Sequence, residues 1–399
     1  MHNIFGGQDM YRIGKEEIDE VAKVIESKVL FRVNDGNKEV ERFEKELARI
    51  VGVKYALCVT GGTAALTCAL AGMGIGPGDE VIVPAYTFMA TVLAVASVGA
   101  IPVLGEIDET MTLDPKDVER KMTKNVRAVI PVNMVGFACD MDSFLDMKEK
   151  YGIRILEDAC QADGGSYKGR RFGSIGDAGA FSFNDFKIIS AGEGGALLTN
   201  DRSIYERALI YHDGGAAFRP YSGELTEKIF MGTQYRVSEV TGAILRIQLQ
   251  RLDGILSDLR RIKKQILTSI ANTGNFRITP SNDPEGDCST TVSLTFDTSA
   301  EARTFASHPG IKAWLPIDSG KHVYSNWTPL LSGDLAHHRA LDPLCLKENS
   351  NLRKEYSADM CPKTTDILSR TVYISLHCDW DEDRVNELIA SIREAASIT

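Results

Sequence analysis

Apolar and polar positions along the chain follow two alternating periods. From about Lys38 the segment VERFEKELARIVGV places apolar residues at helical spacing, and YALCVT then forms a short apolar run typical of a buried strand. Helical stretches separate many of the later runs, which are EVIVP, GAIPVLGEI, RAVIPVNM, IRILED, AGAFSF and GALLTN. Strands separated by helices favour an α/β fold, with a mainly parallel sheet covered by helices on both faces. Ligands of such sheets bind beyond the carboxyl ends of the strands.

The pattern changes near Val237, where SEVTGAILRIQLQRLDGILSDLRRIKKQILTSIANTG predicts a helix long enough to bridge two domains. We therefore expect a large domain over residues 1–255, which includes an N-terminal segment, and a small C-terminal α/β domain over residues 256–399. The small domain contains the strand-like runs TTVSLTF and VYISL and a final amphipathic helix. Residues 318–363 lack periodicity, which is typical of a functional or disordered segment.

Composition limits the partners that we expect. The 399 residues are 43% hydrophobic and 25% charged, as in a folded globular protein. A formal net charge of −10 repels a phosphate backbone, so nucleic acid is not an expected partner. No apolar run reaches the length of a membrane span, and the N-terminus MHNIFGGQDMYRIGKEE lacks the residue order of a signal peptide. We expect a cytoplasmic protein with no membrane partner.

The eight cysteines are scattered along the chain, with no C-x-x-C pair that would hold zinc or carry out redox chemistry. We interpret them as free, mostly buried thiols and expect no metal site. They are Cys58, Cys68, Cys139, Cys160, Cys288, Cys345, Cys361 and Cys378.

Lys187 is the first candidate for chemistry. It lies between the strand-like AGAFSF and a glycine-rich turn, where backbone can approach a ligand closely. Most lysines are only solvated surface residues, which is the simpler interpretation. An amine desolvated in a pocket has a lowered pKa and becomes a nucleophile able to form a Schiff base.

Asp158 ends the apolar run IRILED, and Gln161 follows three residues later. An aspartate after a buried strand is commonly no more than a helix N-cap. The alternative is a buried carboxylate that keeps the pyridine nitrogen of pyridoxal phosphate (PLP) protonated, so that the ring acts as an electron sink. Gln161 would then donate a hydrogen bond to the phenolic oxygen of that ring.

Two further segments fit the same kind of ligand. CVTGGTAALTCAL gives a strand, a turn and a helix in order, with Gly62 and Thr63 at the predicted helix start, where free N–H groups bind phosphate. Tight turns also use glycine pairs routinely. Phe88, in PAYTFMAT, follows another predicted strand and is a candidate to stack on a ring, although core packing is the usual role of an aromatic side chain.

Together these segments resemble the DegT/DnrJ/StrS family of sugar aminotransferases. The resemblance runs from about Lys15 to the C-terminus, with the order and spacing of the family's motifs kept throughout. It rests on TGGTAAL, PAYTFMAT, EDACQA, YKGRRFGSIGDAGAFSF, Lys187 with GEGGALLTND, and GTQYRVSEV. The resemblance implies the aspartate-aminotransferase fold, known as PLP fold type I, and PLP as the cofactor.

The resemblance also implies a role for each matching residue. Lys187 becomes the lysine that binds PLP as a Schiff base, and Asp158 becomes the partner of the pyridine nitrogen. The other implied contacts are Phe88 stacked on the ring, Gln161 at the phenolic oxygen, and Gly62, Thr63 and Ser182 at the phosphate. The family's GxNxR element reaches the phosphate from the neighbouring subunit of a homodimer. Here it is GTQYR, so Gln234 replaces the usual asparagine.

The reaction implied is a transamination, with glutamate as the family's usual amino donor and a keto-sugar as acceptor. Family members that dehydrate 4-keto-6-deoxy-hexoses carry histidine in place of the lysine, and this chain retains Lys187. Two alternatives remain open, a PLP-dependent lyase or dehydratase on the same fold and a catalytically silent regulator that senses PLP or sugar. Intact Lys187, Asp158 and Gln161 argue against the silent regulator.

A narrower resemblance concerns the acceptor. EDACQADGGSYKG, DPEGD and the H-x-x-x-N-W motif from His322 to Trp327 are most similar to the family members that aminate an eight-carbon keto-sugar acid, giving 8-amino-3,8-dideoxy-octulosonate. His322 and Trp327 are candidates for the acceptor pocket, although packing is the commoner role of such loop residues. Arg236 and Arg370 are candidates to hold a substrate carboxylate.

Overall fold

The computed structural model describes residues 10–33 and 36–398. Residues 1–9 of the predicted N-terminal segment, on which the signal-peptide expectation partly rests, therefore lie outside the described residues. Among the helices that the structure describes, none is both long and apolar enough to cross a membrane.

Helices and strands alternate through the first half of the described chain. The helices are α1 (Lys15–Ser27), α2 (Glu39–Val51), α3 (Gly62–Gly72), α4 (Ala90–Ser97), α5 (Pro115–Lys121), α6 (Met141–Tyr151), α7 (Arg202–His212), α8 (Glu239–Ile270), α9 (Ser299–Ala306), α10 (Thr328–Ser332), α11 (Pro362–Ser369) and α12 (Glu382–Ser397). The strands are β1 (Tyr55–Val59), β2 (Glu80–Pro84), β3 (Ile101–Gly105), β4 (Val126–Val129), β5 (Arg154–Asp158), β6 (Ser166–Tyr167), β7 (Arg170–Arg171), β8 (Ala178–Ser182), β9 (Gly195–Thr199), β10 (Arg277–Ile278), β11 (Thr291–Thr295), β12 (Ala313–Trp314) and β13 (Thr371–Ser375).

A seven-stranded sheet forms the centre of the molecule, in the order β1-β9-β8-β5-β4-β2-β3. Strands β8, β5, β4, β2 and β3 are parallel to one another, and β9 pairs antiparallel with both β8 and β1. All seven apolar runs that predicted strands in the first half of the sequence form these seven strands. The expected α/β fold with a mainly parallel mixed sheet is therefore confirmed.

The sheet is buried on both faces, which explains why its strands are continuous apolar runs. In β1, Cys58 packs into one hydrophobic cluster, whereas Leu57 and Val59 pack into another. The first cluster includes side chains of α2, α6 and α8, and the second includes side chains of α3, α4 and α7. Because neighbouring strand residues point to opposite faces, the sheet has a helical layer on each side.

A second, four-stranded antiparallel sheet lies toward the C-terminus, in the order β10-β11-β13-β12. The runs TTVSLTF and VYISL form β11 and β13, and the predicted final helix is α12. The predicted long helix is α8, which has 32 residues and begins with Ser238 as its cap, since the Ser238 side chain accepts a hydrogen bond from the Thr241 N–H. The proposed boundary between residues 255 and 256 falls inside α8 and stays a prediction.

The irregular segment 318–363 is folded onto the large sheet. It contains short 3₁₀ turns and helix α10. Arg353 of this segment donates from Nε to Oε1 of the buried Glu80, on β2, at 3.0 Å, and this contact fixes the segment on the large sheet. Its first part runs beside the residues that follow β2: Thr87 N donates to the His322 carbonyl at 3.0 Å, and Tyr324 N donates to the Ala85 carbonyl at 3.0 Å. This pairing brings Lys321 and His322 to the carboxyl end of the large sheet.

Candidate functional site

A cavity of about 580 Å³ lies at the carboxyl ends of β1, β2, β5 and β8. This is the edge at which open parallel sheets bind their ligands. The cavity brings together seven of the eight residues singled out from the sequence, and Gln234 is not among its lining residues. The seven are Gly62, Thr63, Phe88, Asp158, Gln161, Ser182 and Lys187.

Asp158 is the last residue of β5, and its side chain is held by two donors. Its Oδ2 accepts a hydrogen bond from Thr91 Oγ1 at 2.8 Å, and its Oδ1 accepts one from Cys160 N at 3.2 Å. Thr91 Oγ1 lies in turn 2.8 Å from Thr87 Oγ1. Since Asp158 is buried, these contacts orient a carboxylate inside the cavity.

Gln161 lies on the turn after Asp158 and is oriented by the neighbouring loop. Its Oε1 accepts a hydrogen bond from Val135 N at 3.2 Å. Because the side-chain oxygen of Gln161 is occupied by this backbone N–H, the side-chain amide nitrogen is the group that can donate to a ligand.

Helix α3 begins at Gly62, with Gly61 as its N-cap residue, so the first N–H groups of the helix lie at the cavity. A Cβ at Gly62 would lie 2.7 Å from Cys160 Sγ and 2.9 Å from Ser182 Cβ. Only glycine lets the backbone approach the end of β8 this closely. The cradle of helix N-terminus and serine hydroxyl suits a phosphate group.

Lys187 lies in the turn that follows β8, where its N–H donates to the Asn184 carbonyl at 3.0 Å. Its side chain is half-buried in the cavity. Burial and then the positive charge of Lys187 lower the pKa of the neighbouring Lys321. Burial, with smaller contributions from the charges of Lys321 and Lys187, lowers the pKa of His322 to about 3, which keeps this imidazole neutral near pH 7.

The cavity mouth is built from aromatic and basic side chains. The Phe88 ring lies 5.8 Å from the His322 ring, measured between centroids. Lys321 Nζ lies 5.6 Å from the ring centroids of both Phe88 and Phe186. Phe88 is 42% exposed, so its ring is available to a ligand rather than committed to the core.

Several residues of the site had no signal in the sequence analysis. Thr91, Trp314, Lys321 and His377 line the cavity, and none was a candidate in the sequence analysis, although Thr91 lies in PAYTFMAT and Lys321 in the irregular segment 318–363. Thr87 precedes helix α4 and Thr91 lies in its first turn, so the contact between the two hydroxyls is shown by the structure and not by helical spacing. Trp314 and Lys321 come from segments without a local pattern, and His377 directly follows the strand-like run VYISL.

Among the open candidates, His322 lines the cavity and Trp327 does not. Trp327 is buried, and its indole Nε1 donates a hydrogen bond to the Lys321 carbonyl at 3.0 Å. Trp327 therefore helps to fix the backbone at Lys321. Arg236 forms an ion pair with Asp213, and Arg370 pairs with Glu109 at 2.6 Å and with Asp366 at 2.9 Å. Neither arginine lines the cavity, so within one chain neither holds a substrate carboxylate there.

Gln234 lies on the segment after α7, where its backbone forms an isolated antiparallel β-bridge with Asp213. Its side-chain Oε1 accepts a hydrogen bond from Arg236 N at 2.6 Å. It therefore lies outside the cavity of its own chain. This position is consistent with the expectation that Gln234 reaches a phosphate in a neighbouring subunit, which stays a prediction.

A model of the DegT/DnrJ/EryC1/StrS aminotransferase family matches residues 11–307. The spore coat polysaccharide biosynthesis protein SpsC of Bacillus subtilis is 40% identical over 261 residues, which are 64% of this chain and 65% of that protein. GDP-perosamine synthase of Caulobacter vibrioides is 38% identical over 238 residues, which are 59% of this chain and 63% of that protein. The chain thus spans just under two thirds of the length of these curated relatives.

Solved structures match over nearly the whole chain. The X-ray structure of the aminotransferase from Psychrobacter cryohalolentis has a TM-score of 0.80 at 24% identity and covers 97% of this chain and 98% of its own. The structure of 3-amino-5-hydroxybenzoic acid synthase has a TM-score of 0.77 at 26% identity, with the same coverage of 97% and 98%. These matches confirm the expected fold type I architecture.

Proposed function

Since the chain belongs to the DegT/DnrJ/EryC1/StrS aminotransferase family, we propose that it is an aminotransferase that moves an amino group from an amino acid to a keto-sugar or a similar polyhydroxylated carbonyl compound. Family membership also confirms PLP as the cofactor. The observation that carries the proposal is that Lys187, Asp158 and the start of α3 at Gly62 line one cavity. The residues suit PLP, since an amine, a buried carboxylate and a helix N-terminus match its aldehyde, ring nitrogen and phosphate.

When bound, PLP supplies an electron sink for the bond being broken. Asp158, anchored by Thr91, would hold a proton at the ring nitrogen. Gln161 would donate from its amide nitrogen to the phenolic oxygen. Gly62 and Thr63 would present N–H groups to the phosphate, and Ser182 would add a hydroxyl.

Lys187 has two roles in the proposed reaction. Its Nζ would hold the aldehyde of PLP as a Schiff base, and an amino donor, proposed to be glutamate, would release it. The freed amine would then serve as the general base and general acid that moves the proton from the donor's α-carbon. The Phe88 ring, which lines the cavity, would stack on the cofactor ring and limit the access of water.

The first test of this function is the site of covalent attachment. Purified protein loaded with PLP should be yellow, and borohydride reduction should fix the label on a peptide containing Lys187. The matched control is Lys321→Met, which removes the other lysine of the cavity and should leave the label where it is. Lys187→Ala should abolish turnover while PLP still binds noncovalently. A label on Lys321, or a protein that never takes up PLP, contradicts the assignment.

A count of amino-donor consumption separates the alternatives. An aminotransferase consumes one glutamate for each acceptor aminated, whereas a lyase or dehydratase releases product without any donor. A silent regulator consumes neither glutamate nor the acceptor. Equal amounts of 2-oxoglutarate and amino-sugar, measured in the same reaction, are therefore the expected result.

We propose an eight-carbon 8-oxo sugar acid, the precursor of 8-amino-3,8-dideoxy-octulosonate, as the acceptor. Two features support it: the similarity of EDACQADGGSYKG, DPEGD and His322 to Trp327, and the Lys321 cation in the cavity, which suits a carboxylate. Enzyme loaded with pyridoxamine phosphate should regain the PLP absorbance faster with this acid than with nucleotide-linked keto-hexoses. Fast recovery with ordinary α-keto acids, and none with any sugar, would show that the sugar assignment is wrong.

We further propose that the enzyme is a homodimer with a two-fold interface. Gln234 does not line the cavity of its own chain, so a phosphate contact requires that the partner copy deliver it. The segment that carries Gln234 also exposes Phe218 and Met231, which are 90% and 98% exposed. We propose that these two side chains are part of the surface that the partner copy covers.

A further inference from the structure

A second cavity, of about 480 Å³, lies away from the first, between the middle of α8 and the loop that leads from β10 to β11. Phe137, which follows β4, forms part of its wall. Its charged lining residues are mostly basic, with four cations against two carboxylates. They are Arg260, Arg261, Lys263, Lys264, Glu285 and Asp287.

Lys263 is the unusual residue of this cavity. Its side chain is only 12% exposed, and its Nζ lies 3.8 Å from Asp287 Oδ2, an ion pair too long to be a hydrogen bond. Its other close partner is the Phe137 ring, with the centroid 4.8 Å from Nζ. Burial lowers the Lys263 pKa, with Asp287 opposing that effect. Burying a polar or charged group without acceptors at hydrogen-bond distance is costly, so an added acceptor would stabilise the ammonium form of Lys263.

The neighbouring cations are also available. Arg260 donates to two backbone carbonyls, from Nε to Asp287 at 3.0 Å and from Nη2 to Gly286 at 3.2 Å, so none of these bonds neutralises its charge. Lys264 is exposed and forms no ion pair with any residue that the structure describes. Asp287, the buried acid, already accepts from Ala138 N and Ser281 Oγ, both at 2.9 Å. The cavity therefore carries positive charge in excess.

We propose that this second cavity is a binding site for a phosphate-type anion, either inorganic phosphate or the phosphomonoester of a small metabolite, held by Lys263, Arg260 and Lys264. Phosphate oxygens would supply the hydrogen-bond acceptors that Lys263 Nζ lacks among residues 10–33 and 36–398. Apolar side chains beside the cations, such as Leu267 and Ile278, leave room for a carbon skeleton attached to the phosphate.

The second cavity is connected to the first by a chain of hydrogen bonds. Asp287 Oδ1 accepts from Ala138 N, and two residues earlier the Gly136 carbonyl accepts from Cys288 N at 3.0 Å. The adjacent Val135 donates its N–H to Gln161 Oε1 at 3.2 Å. Val135 has a positive φ of 45°, which is costly for a β-branched residue and is maintained by these contacts. If an anion draws Lys263 away from Asp287, we expect the loop that orients Gln161 to shift as well.

The test is calorimetric titration of the PLP-loaded enzyme, freed of excess PLP, with inorganic phosphate and with glycerol 3-phosphate. Tighter binding of the phosphomonoester would identify the metabolite as the natural source of the anion, and equal binding would identify phosphate itself. Lys263→Met should weaken binding tenfold or more, as expected for a lost charge-assisted contact. Lys264→Glu should weaken it several-fold. Lys45→Met, a charge-matched change on α2, should leave it unchanged.

Native affinity in both Lys263→Met and Lys264→Glu, or no binding to native enzyme at about 10 mM phosphate, would overturn the proposal. Lys264 is exposed, so Lys264→Glu decides the question if Lys263→Met fails to fold. The link to Gln161 rests on the proposed cofactor role and has a separate measurement, a change in the PLP absorbance on adding phosphate. Binding without that change rejects the link and leaves the site, whereas a failure of the PLP assignment leaves the titration unaffected.

Discussion

At the residue scale, Asp158 shows how a single carboxylate can combine a local and a long-range role. Its Oδ1 accepts from Cys160 N, two residues along the chain, which is the type of local bond that an aspartate makes at the start of a turn. Its Oδ2 accepts from Thr91, 67 residues away in sequence. The long-range contact with Thr91 fixes the carboxylate in the cavity. An aspartate that only capped a turn would not require this contact.

Asp158→Asn should lower turnover by roughly 10²- to 10³-fold, the scale of a lost preorganised charge. The substitution keeps the size and the hydrogen-bonding shape, so the protein should still fold and bind PLP. Thr91→Val, which removes one donor to the carboxylate and keeps its charge, should cost only about tenfold. The measurements are turnover and the PLP absorption spectrum of each variant. Near-normal turnover in Asp158→Asn would contradict the role at the ring nitrogen and would show that Asp158 only caps the local turn.

The sequence predicted most of the site residues from locally ordered motifs, and His322 only from the narrower resemblance. Lys187 and Gly62 follow strand-like runs and Asp158 ends one, so their place at one sheet edge follows from the order of the elements. Lys321 and Trp314 enter the cavity from the irregular segment and from β12, and their positions depend on backbone pairing with residues after β2 and with β13. Such pairing has no periodic signal in the sequence.

At the element scale, the central strands were predictable because each is buried on both faces. The burial leaves an uninterrupted apolar run, as in β2, where all five residues are buried. Strands β6, β7, β10 and β12 have two residues each, which is too short for any period to be recognised.

The start of α3 illustrates a second limit of the sequence at this scale. The pair Gly61 and Gly62 indicates a turn, but tight turns of many kinds use glycine. Glycine is required here because two other strands, β8 and β9, lie very close to this turn. A Cβ at Gly195, the first residue of β9, would lie 2.4 Å from the Gly61 carbonyl carbon, and one at Gly62 would meet Ser182 at the end of β8. Those distances are tertiary packing and cannot be read from the local motif.

At the scale of the whole molecule, the segment after α7 is rigid within the chain yet apolar on its outside. Asp213 accepts hydrogen bonds from Arg219 Nε at 2.8 Å and from Tyr221 Oη at 3.0 Å, and it also pairs with Arg236. These contacts fix the backbone on either side of Phe218. The segment thus presents Phe218 to its surroundings from an ordered support, as an interface requires.

The proposed dimer can be tested on that surface. The double substitution Phe218→Glu with Met231→Glu places two carboxylates in the proposed interface, where burying them without partners is costly. The expected result is a monomer by light scattering, with normal secondary structure and weakened PLP binding, because Gln234 no longer reaches the partner's cavity. Ile398→Glu is the matched control, since Ile398 is 62% exposed at the opposite end of the chain and should leave the dimer intact. A native protein that is monomeric and fully active at assay concentration would refute the dimer, and a dimeric double variant would place the interface on another surface.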